Sequence, residues 1–448
     1  MRYQPNAPKA EASLPLVHAH AAGLDIGSAE IWAAVPADCD PEPVRKFGTF
    51  TPDLLALADW LQACGIQTVA MESTGVYWIP IFEILEARSL DAQVVNAHHL
   101  KHVPGRKSDW RDCQWIQRLH SWGLLTGSFR PADEICALRT YLRQRANLIE
   151  HRAPHILHMQ KALQQMNLQL PLVVSDITGE TGQAILRAIV AGERDPQQLA
   201  QFRQPNCKHS AAEMAKALTG HYRPEQVFAL KQALALYDAY TAQLQECDAE
   251  IEKQFQVIKP VTEDEPPPSN KPNSHSKNGP SYDARTLLYR ITGVDLCAID
   301  GMNESTVQTA LTETGTDLSA FATDKQFGAW LGLAPRHEIS GGKVLRRHTL
   351  KNGNRAGQAF RLAAQSVSRS DSALGAFYRR LRAKAGPKVA IVATAYKIAR
   401  IYYHVLKERQ PYQEQSAAAY DQKTKDRELR QLQKRAAKLG MKLVTVPA

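Results

Sequence analysis

Short apolar runs alternate with stretches of helical periodicity from Gly23 to about Leu125, which is the pattern of an α/β sheet domain. Strands are predicted in GLDIGSAEIWAAV (a strand and its hairpin partner), VRKFGTFT, QTVAMES and AQVVNA. Helices are predicted in PDLLALADWLQAC and SDWRDCQWIQRLHSWGLL. These elements define a first domain over residues 21–128, preceded by a flexible N-terminus over residues 1–20.

The pattern becomes almost wholly helical over residues 129–258. Its last part repeats residues at alternating spacings of three and four, as in the seam of a coiled coil. The seam positions are Val227, Leu230, Leu234, Tyr237, Thr241, Leu244, Asp248, Ile251 and Phe255. Because proline interrupts a helix, Pro154, Pro171, Pro205 and Pro224 predict several separate helices in this region.

Residues 259–282 combine proline, serine, asparagine and lysine with almost no apolar content, which predicts a disordered linker. Residues 283–410 resume a mainly helical, globular pattern, and residues 411–448 form a basic tail that contains a candidate helix. The fold class is therefore an α/β domain, a helical and coiled-coil middle region, and a mainly helical C-terminal domain.

Composition narrows the possible partners of this 448-residue chain. The formal charge of +10 comes from 55 Lys and Arg against 45 acids, and it favours polyanions such as nucleic acids or acidic membrane surfaces. No apolar run is long enough to span a membrane, and the N-terminus lacks the apolar core of a secretory signal, so we expect a cytoplasmic protein. The seven cysteines are scattered without a C-x-x-C pair, and we expect no zinc site.

Four carboxylates are candidates for a single acidic site. Asp25 interrupts the first predicted strand, Glu72 ends a later one, and Asp109 and Asp112 open a helix with the spacing that puts both on one face. Alone, the helix acids could be favoured by the macrodipole, Glu72 could be a turn residue, and Asp25 a turn or ribose-binding acid. Together, in this order, they match the requirement of a ribonuclease-H-like nuclease and could bind two divalent ions such as Mg²⁺.

A second candidate site lies in a strongly basic stretch. Residues 336–384 contain twelve Lys or Arg and two acids, an imbalance typical of a phosphate-contacting surface. Ser340 precedes Gly341 and Gly342, and the pattern alone favours a turn residue over a nucleophile. The candidate nucleic-acid-binding residues are Arg336, Lys343, Arg346, Arg347, Lys351 and Arg355.

The motifs LDIGS, MESTGVYW, KSDWRD, GLAPRHEISGGK and KNGNRAGQAFRLAAQS occur in this order over roughly residues 20–405, and the chain resembles the DEDD transposases of bacterial insertion sequences. The resemblance implies a RuvC-like nuclease domain, a coiled coil, and a transposase domain with a catalytic serine. It assigns the acidic site to Asp25, Glu72, Asp109 and Asp112, and the serine to Ser340. It also implies a bridging noncoding RNA, a serine-linked DNA intermediate, and a homo-oligomer, either a dimer or a tetramer.

The leading hypothesis is RNA-guided DNA strand exchange between donor and target DNA. One alternative is a RuvC-like junction-resolving or hydrolytic nuclease, which uses the same acids with water and leaves free DNA ends. Another is a non-catalytic nucleic-acid-binding regulator of the element, whose acids are structural. The regulator would not depend on magnesium and would tolerate Asp25→Asn.

Overall fold

The computed structural model describes residues 14–73, 75–95, 109–269, 277–349 and 353–444. The chain divides into two compact units, Met1–Arg130 and Pro131–Ala448. Within the described ranges, no helix is long and apolar enough to cross a membrane.

The first unit is built on a mixed five-stranded sheet. Its strands are β1 (Ala21–Ile26), β2 (Glu30–Ala34), β3 (Val44–Gly48), β4 (Thr68–Ser73) and β5 (Asp91–Val95), and their spatial order is β3-β2-β1-β4-β5. The β1-β2 and β2-β3 pairs are antiparallel, whereas β1-β4 and β4-β5 are parallel. The five predicted strands are confirmed, and the architecture is compatible with a ribonuclease-H-like domain.

Helices cover both faces of this sheet. They are α1 (Thr51–Ala63), α2 (Trp78–Ala87) and α3 (Asp109–Ser121). Helix α2 is not among the predicted elements; its Pro80 lies in the first turn, where the missing N–H has no carbonyl partner to lose. Leu24, Met71 and Leu85 are fully buried in the core on the α1 and α2 face. Ala70, Val95 and Ile116 form a smaller cluster under α3 on the opposite face.

The second unit begins with helices that pack around two long ones. These helices are α4 (Asp133–Gln165), α5 (Leu170–Val173), α6 (Glu180–Ala191), α7 (Pro196–Ala200), α8 (Ala211–Ala217) and α9 (Pro224–Val257). Helices α4 and α9 pack along their length, and Leu230, Leu244 and Phe255 of the predicted seam are buried. The prediction of a helix break at Pro154 is wrong, because α4 continues through it. Pro154 is exposed, so water can bond to the carbonyl that lacks an N–H partner there.

Part of the predicted disordered linker is held against this helix pair. Asp248 occupies a seam position of α9 and accepts a hydrogen bond from Arg145 of α4 at 2.5 Å; both side chains are buried. Arg145 also donates to the carbonyls of Asn278 and Gly279, at 2.9 and 2.6 Å, and the backbone N–H of Ser281 donates to Asp248 at 3.0 Å. Hydrogen bonds therefore tie residues 278–281 of the predicted linker to this helix pair. Residues 270–276 of the predicted linker lie outside the described chain.

The rest of the unit is helical apart from one hairpin. It comprises α10 (Ala284–Thr292), a 3-10 turn (Leu296–Ala298), α11 (Glu304–Thr314), α12 (Asp324–Trp330), β6 (Arg336–Ser340), β7 (Lys343–His348), α13 (Arg355–Ser366), a second 3-10 turn (Val367–Arg369), α14 (Ala373–Ala385), α15 (Pro387–Glu408) and α16 (Ala417–Lys438). In its fully buried aromatic core, Phe327 stacks on Tyr402, and Phe360 packs edge-to-face against both rings. The basic tail thus includes a regular helix, α16.

Candidate active site

Two of the predicted acids lie side by side at the ends of neighbouring strands. Asp25 of β1 is in register with Glu72 of β4, and the strands are parallel. Residues in register on parallel strands project from the same face of the sheet, so both carboxylates point to one side. This face also carries Gly23 and Ala70, two residues earlier in each strand, and it is the face that α3 covers. Both acids are half-buried.

Helix α3 runs antiparallel to β1, which brings its beginning towards the two acids. The Nε2 of Gln117 donates to the carbonyl of Ala21 at 3.3 Å, and the backbone N–H of Val17 donates to the carbonyl of Ser121 at 2.8 Å. The end of α3 therefore lies at the start of β1. Its first turn, with Asp112, lies towards the end of β1 where Asp25 is found.

Gly23 permits this close approach of helix to strand. A Cβ atom at Gly23 would lie 2.3 Å from the backbone nitrogen of Gln117 and 2.4 Å from the carbonyl oxygen of Cys113. Any side chain at this position would displace α3. Sequence reasoning did not single out Gly23, although a glycine inside an apolar strand can indicate that another backbone packs against it.

The negative charges of two of the acids both influence the pKa of the Cys113 thiol. Burial, with smaller contributions from the negative charges of Asp25 and then Asp112, raises the pKa of the Cys113 thiol to about 12. Cys113 is fully buried on α3, next to Asp112 in the chain. Asp25 and Asp112, which are far apart in sequence, are therefore close enough to perturb one side chain.

The ligand set as described is incomplete. Asp109 begins α3, but its side chain lies outside the described atoms. Among the side chains that are described, no three Asp, Glu, His or Cys are grouped so as to hold a metal ion. Asp25, Glu72 and Asp112 thus do not form a closed cage by themselves. Their oxygens are the hard ligands that suit divalent cations such as Mg²⁺, so the chemistry of the donor set fits such an ion.

Ser340 lies at the tip of the hairpin in the second unit. It ends β6 and pairs with Lys343 of β7 across a two-residue loop. The loop residues Gly341 and Gly342 have φ values of 53° and 74°, the left-handed conformation at both positions that a type I′ turn requires. A Cβ at either glycine would have open space around it, and Ser340 is exposed. The serine is therefore both a turn-flanking residue and accessible to a large substrate.

The register of the hairpin separates a charged face from an apolar one. Arg336, Lys343 and Arg346 lie on the same face as Ser340, together with Glu338 and His348, because directly paired residues project to one side. Ile339 and Val344 pair on the other face and are exposed.

The remaining predicted nucleic-acid contacts are partly described. Arg355 begins α13 and is exposed, whereas the Arg347 side chain and all of Lys351 lie outside the described atoms. The predicted Lys and Arg residues that the structure does describe therefore surround the serine on one face or lie exposed just beyond the hairpin.

A mixed sheet with paired carboxylates at the ends of adjacent parallel strands, facing an acid-bearing helix, is compatible with the class of ribonuclease-H-like enzymes that process nucleic acids. Two transposase family models match the chain: the DEDD transposase model of IS110 type over residues 22–168, and the transposase model of the IS116/IS110/IS902 family over residues 295–379. Together they span just over half of the sequence. The chain therefore belongs to the DEDD transposases of insertion sequences and is a DNA transposase. No curated protein matches the sequence.

The two matches include both candidate sites. The first contains the four acids, and the second contains the hairpin with Ser340. A transposase acts on DNA, and the DEDD domain indicates a general dependence on divalent metal. Residues 169–294 and 380–448 lie outside both matches.

Proposed function

We propose that this transposase cleaves and exchanges DNA strands by using a magnesium-binding acidic site together with Ser340 as nucleophile, guided by a noncoding RNA from its own element. The observation that carries the proposal is the placement of Asp25 beside Glu72, with the first turns of α3 approaching the same end of the sheet. Carboxylate oxygens gathered at one end of the sheet are the hard ligands that a divalent cation prefers.

Asp25, Glu72, Asp109 and Asp112 would hold the metal, most simply as two Mg²⁺ ions. When bound, such ions stabilise the negative charge that develops on the attacking and leaving oxygens of a phosphodiester. The chain itself orients these ligands, since Gly23 lets α3 pack directly on β1 and the register of β1 with β4 aligns Asp25 with Glu72.

In the proposed serine step, the Ser340 hydroxyl attacks the scissile phosphorus. The new O–P bond to serine forms as the bond to the leaving deoxyribose oxygen breaks, and the serine proton passes to that oxygen or to solvent. The reaction is a transesterification, so a second DNA hydroxyl can reverse it and join a new strand. Arg336, Lys343 and Arg346 share the face of Ser340 and would stabilise charge on the phosphate.

The wider assembly is also part of the proposal. Arg347, Lys351 and Arg355 would extend the phosphate contacts beyond the hairpin. If a guide RNA selects donor and target DNA by base pairing, the protein reads only shape and backbone. Helices α4 and α9 would act as a coiled-coil arm in a dimer or tetramer that works in the cytoplasm. RNA that copurifies with the protein should then be one short transcript from the flank of the element rather than a random pool.

Replacement of the serine tests the nucleophile. Ser340→Ala should abolish the covalent complex between protein and end-labelled DNA on a denaturing gel, whereas Ser305→Ala, an exposed serine of α11, should retain it. A full yield of joined product from Ser340→Ala would refute the role of Ser340. Free ends with no adduct in the wild-type protein would favour the hydrolytic nuclease.

Replacement of an acid tests the metal site independently. Asp25→Asn should remove Mg²⁺-dependent cleavage, and Asp38→Asn, an exposed acid in the same unit, should not. Undiminished cleavage by Asp25→Asn would show that the acids are structural.

A further inference from the structure

A cavity of about 570 Å³ lies at the C-terminal end of the second unit, far along the chain from Ser340. It is lined by residues of α14 and α15 and by the segment that follows α15, including Leu374, Lys397, Arg400, His404 and Tyr412. Lys397 lies outside both of the regions matched by transposase models.

Lys397 lines the cavity, and its ammonium packs against two aromatic rings that lie outside the cavity lining. Its ammonium lies 4.6 Å from the ring centre of Phe377 on α14 and 5.1 Å from that of Tyr420 on α16. The guanidinium of Arg380 lies 5.8 Å from the Tyr420 ring. Two aromatic rings therefore make cation–π contacts with two cations where α14, α15 and α16 pack together.

The charges that act on Lys397 are positive. Burial makes the largest contribution to lowering the pKa of Lys397, and the nearby charges of Arg380 and Lys423 lower it further. Other cations of the wall are matched by acids: Arg400 is 2.5 Å from Asp324, and His404 is 2.7 Å from Glu408. Arg380 approaches Glu428 only at 3.9 Å, and Lys423 donates to the neutral Gln415 at 3.2 Å. Repulsion among Lys397, Arg380 and Lys423 is thus only partly offset within the chain.

A convergence of cations is stabilised by an anion. The exposed surface of α16 continues the positive charge away from the cavity, and its Lys and Arg residues are Lys423, Lys425, Arg427, Arg430, Lys434, Arg435 and Lys438. The helix has three acids against these seven cations. A chain of phosphates, rather than a single small anion, matches a cationic cluster that runs on into a cationic helix.

We propose that Lys397, Arg380 and Lys423 form a binding site for a phosphate of the nucleic-acid backbone, with α16 extending the contact. The proposal rests on nucleic acid being the substrate of the transposase, and it is independent of the serine and metal chemistry. Free inorganic phosphate offers the same chemistry, and a titration with phosphate separates the two sources.

The test compares Lys397→Met with Lys388→Met, an exposed lysine at the start of the same helix. Methionine keeps an apolar stem against the rings and removes the charge. Binding of a labelled duplex from the end of the element is measured by fluorescence anisotropy in EDTA, at several salt concentrations, so that no cleavage is needed. We expect Lys397→Met to weaken binding by roughly eightfold at 0.1 M salt and to reduce the slope of log K against log salt by about one unit.

Affinity and salt slope equal to those of Lys388→Met would overturn the proposal. If Lys397→Met fails to fold, Lys423→Gln on the exposed surface of α16 tests the same cluster, with the same expected direction and the same refuting result. A thermal-shift titration with inorganic phosphate covers the other source. If phosphate stabilises the wild type but not Lys397→Met while DNA binding is equal in both, the site takes free phosphate and the nucleic-acid assignment is wrong.

Discussion

The contact of α3 with β1 at Gly23 can be tested by adding one methyl group. In Gly23→Ala the new Cβ would lie 2.3 Å and 2.4 Å from backbone atoms of Gln117 and Cys113, whereas ordinary contact begins near 3.4 Å. Backbone atoms cannot rotate away as a flexible side chain can. Helix α3 must therefore recede by about 1 Å, carrying Asp112 away from Asp25.

This displacement should lower both the stability of the first unit and the rate of DNA cleavage. Overpacking of this kind destabilises a protein by about 1–3 kcal/mol, which should lower the Tm of the first unit by roughly 5 °C or more. A shift of about 1 Å in catalytic groups can cost roughly a hundredfold in rate. We expect that loss in single-turnover, Mg²⁺-dependent cleavage of DNA from the end of the element, with Tm measured by differential scanning calorimetry on the same samples.

Gly127→Ala is the matched control, because it adds the same methyl group in the same unit. Its Cβ would first meet the side chain of Gln93 at 3.4 Å, so we expect nearly wild-type behaviour. If Gly23→Ala matched this control in both Tm and rate, the tight packing of α3 on β1 would be wrong. A lower Tm with an unchanged rate would mean that the position of α3 does not control the acidic site.

Two further predictions concern stability. Burial and the charge of His18 lower the pKa of His120 to about 4. Between pH 6.5 and 4 the unfolded chain therefore binds a proton at this histidine that the folded chain does not. The free energy of unfolding should fall by up to about 3 kcal/mol over that range. His120→Gln should flatten the profile of Tm against pH in that window, and an equally steep profile would contradict the assignment. Arg145→Met should cost about 3–5 kcal/mol in urea unfolding because it removes the cation that pairs with the buried Asp248. Loss of the exposed Arg187, which pairs with Asp238, should cost about 1 kcal/mol or less. Equal losses for the two arginines would show that burial does not set the cost.

The strands of the first unit could be predicted from sequence because each apolar run is bounded by turn residues. Helix α2 is harder to predict, since Pro80 resembles a helix breaker unless the first turn is known to begin just before it. The rule that proline ends a helix also fails at Pro154, which lies inside α4. There the packing of α4 on α9 outweighs one lost hydrogen bond. Local rules describe isolated segments, and tertiary packing decides both cases.

The acids of the candidate site could be selected from sequence because charges in apolar strands are unusual. Their mutual placement could not, since it depends on the register of β1 with β4 and on the direction in which α3 crosses the sheet. The ordered structure of residues 277–282 could not be predicted from the sequence for a similar reason. Its backbone groups form hydrogen bonds with Arg145 and Asp248, which lie on two long helices. The composition of the segment does not indicate these partners.

The acid-bearing helix is the last secondary-structure element of the first unit, while Asp25 belongs to its first strand. A polypeptide released early by the ribosome can hold the opening hairpin of the sheet and still lack Asp109 and Asp112. On the proposed chemistry, such a fragment lacks two of the metal ligands and has no cutting activity.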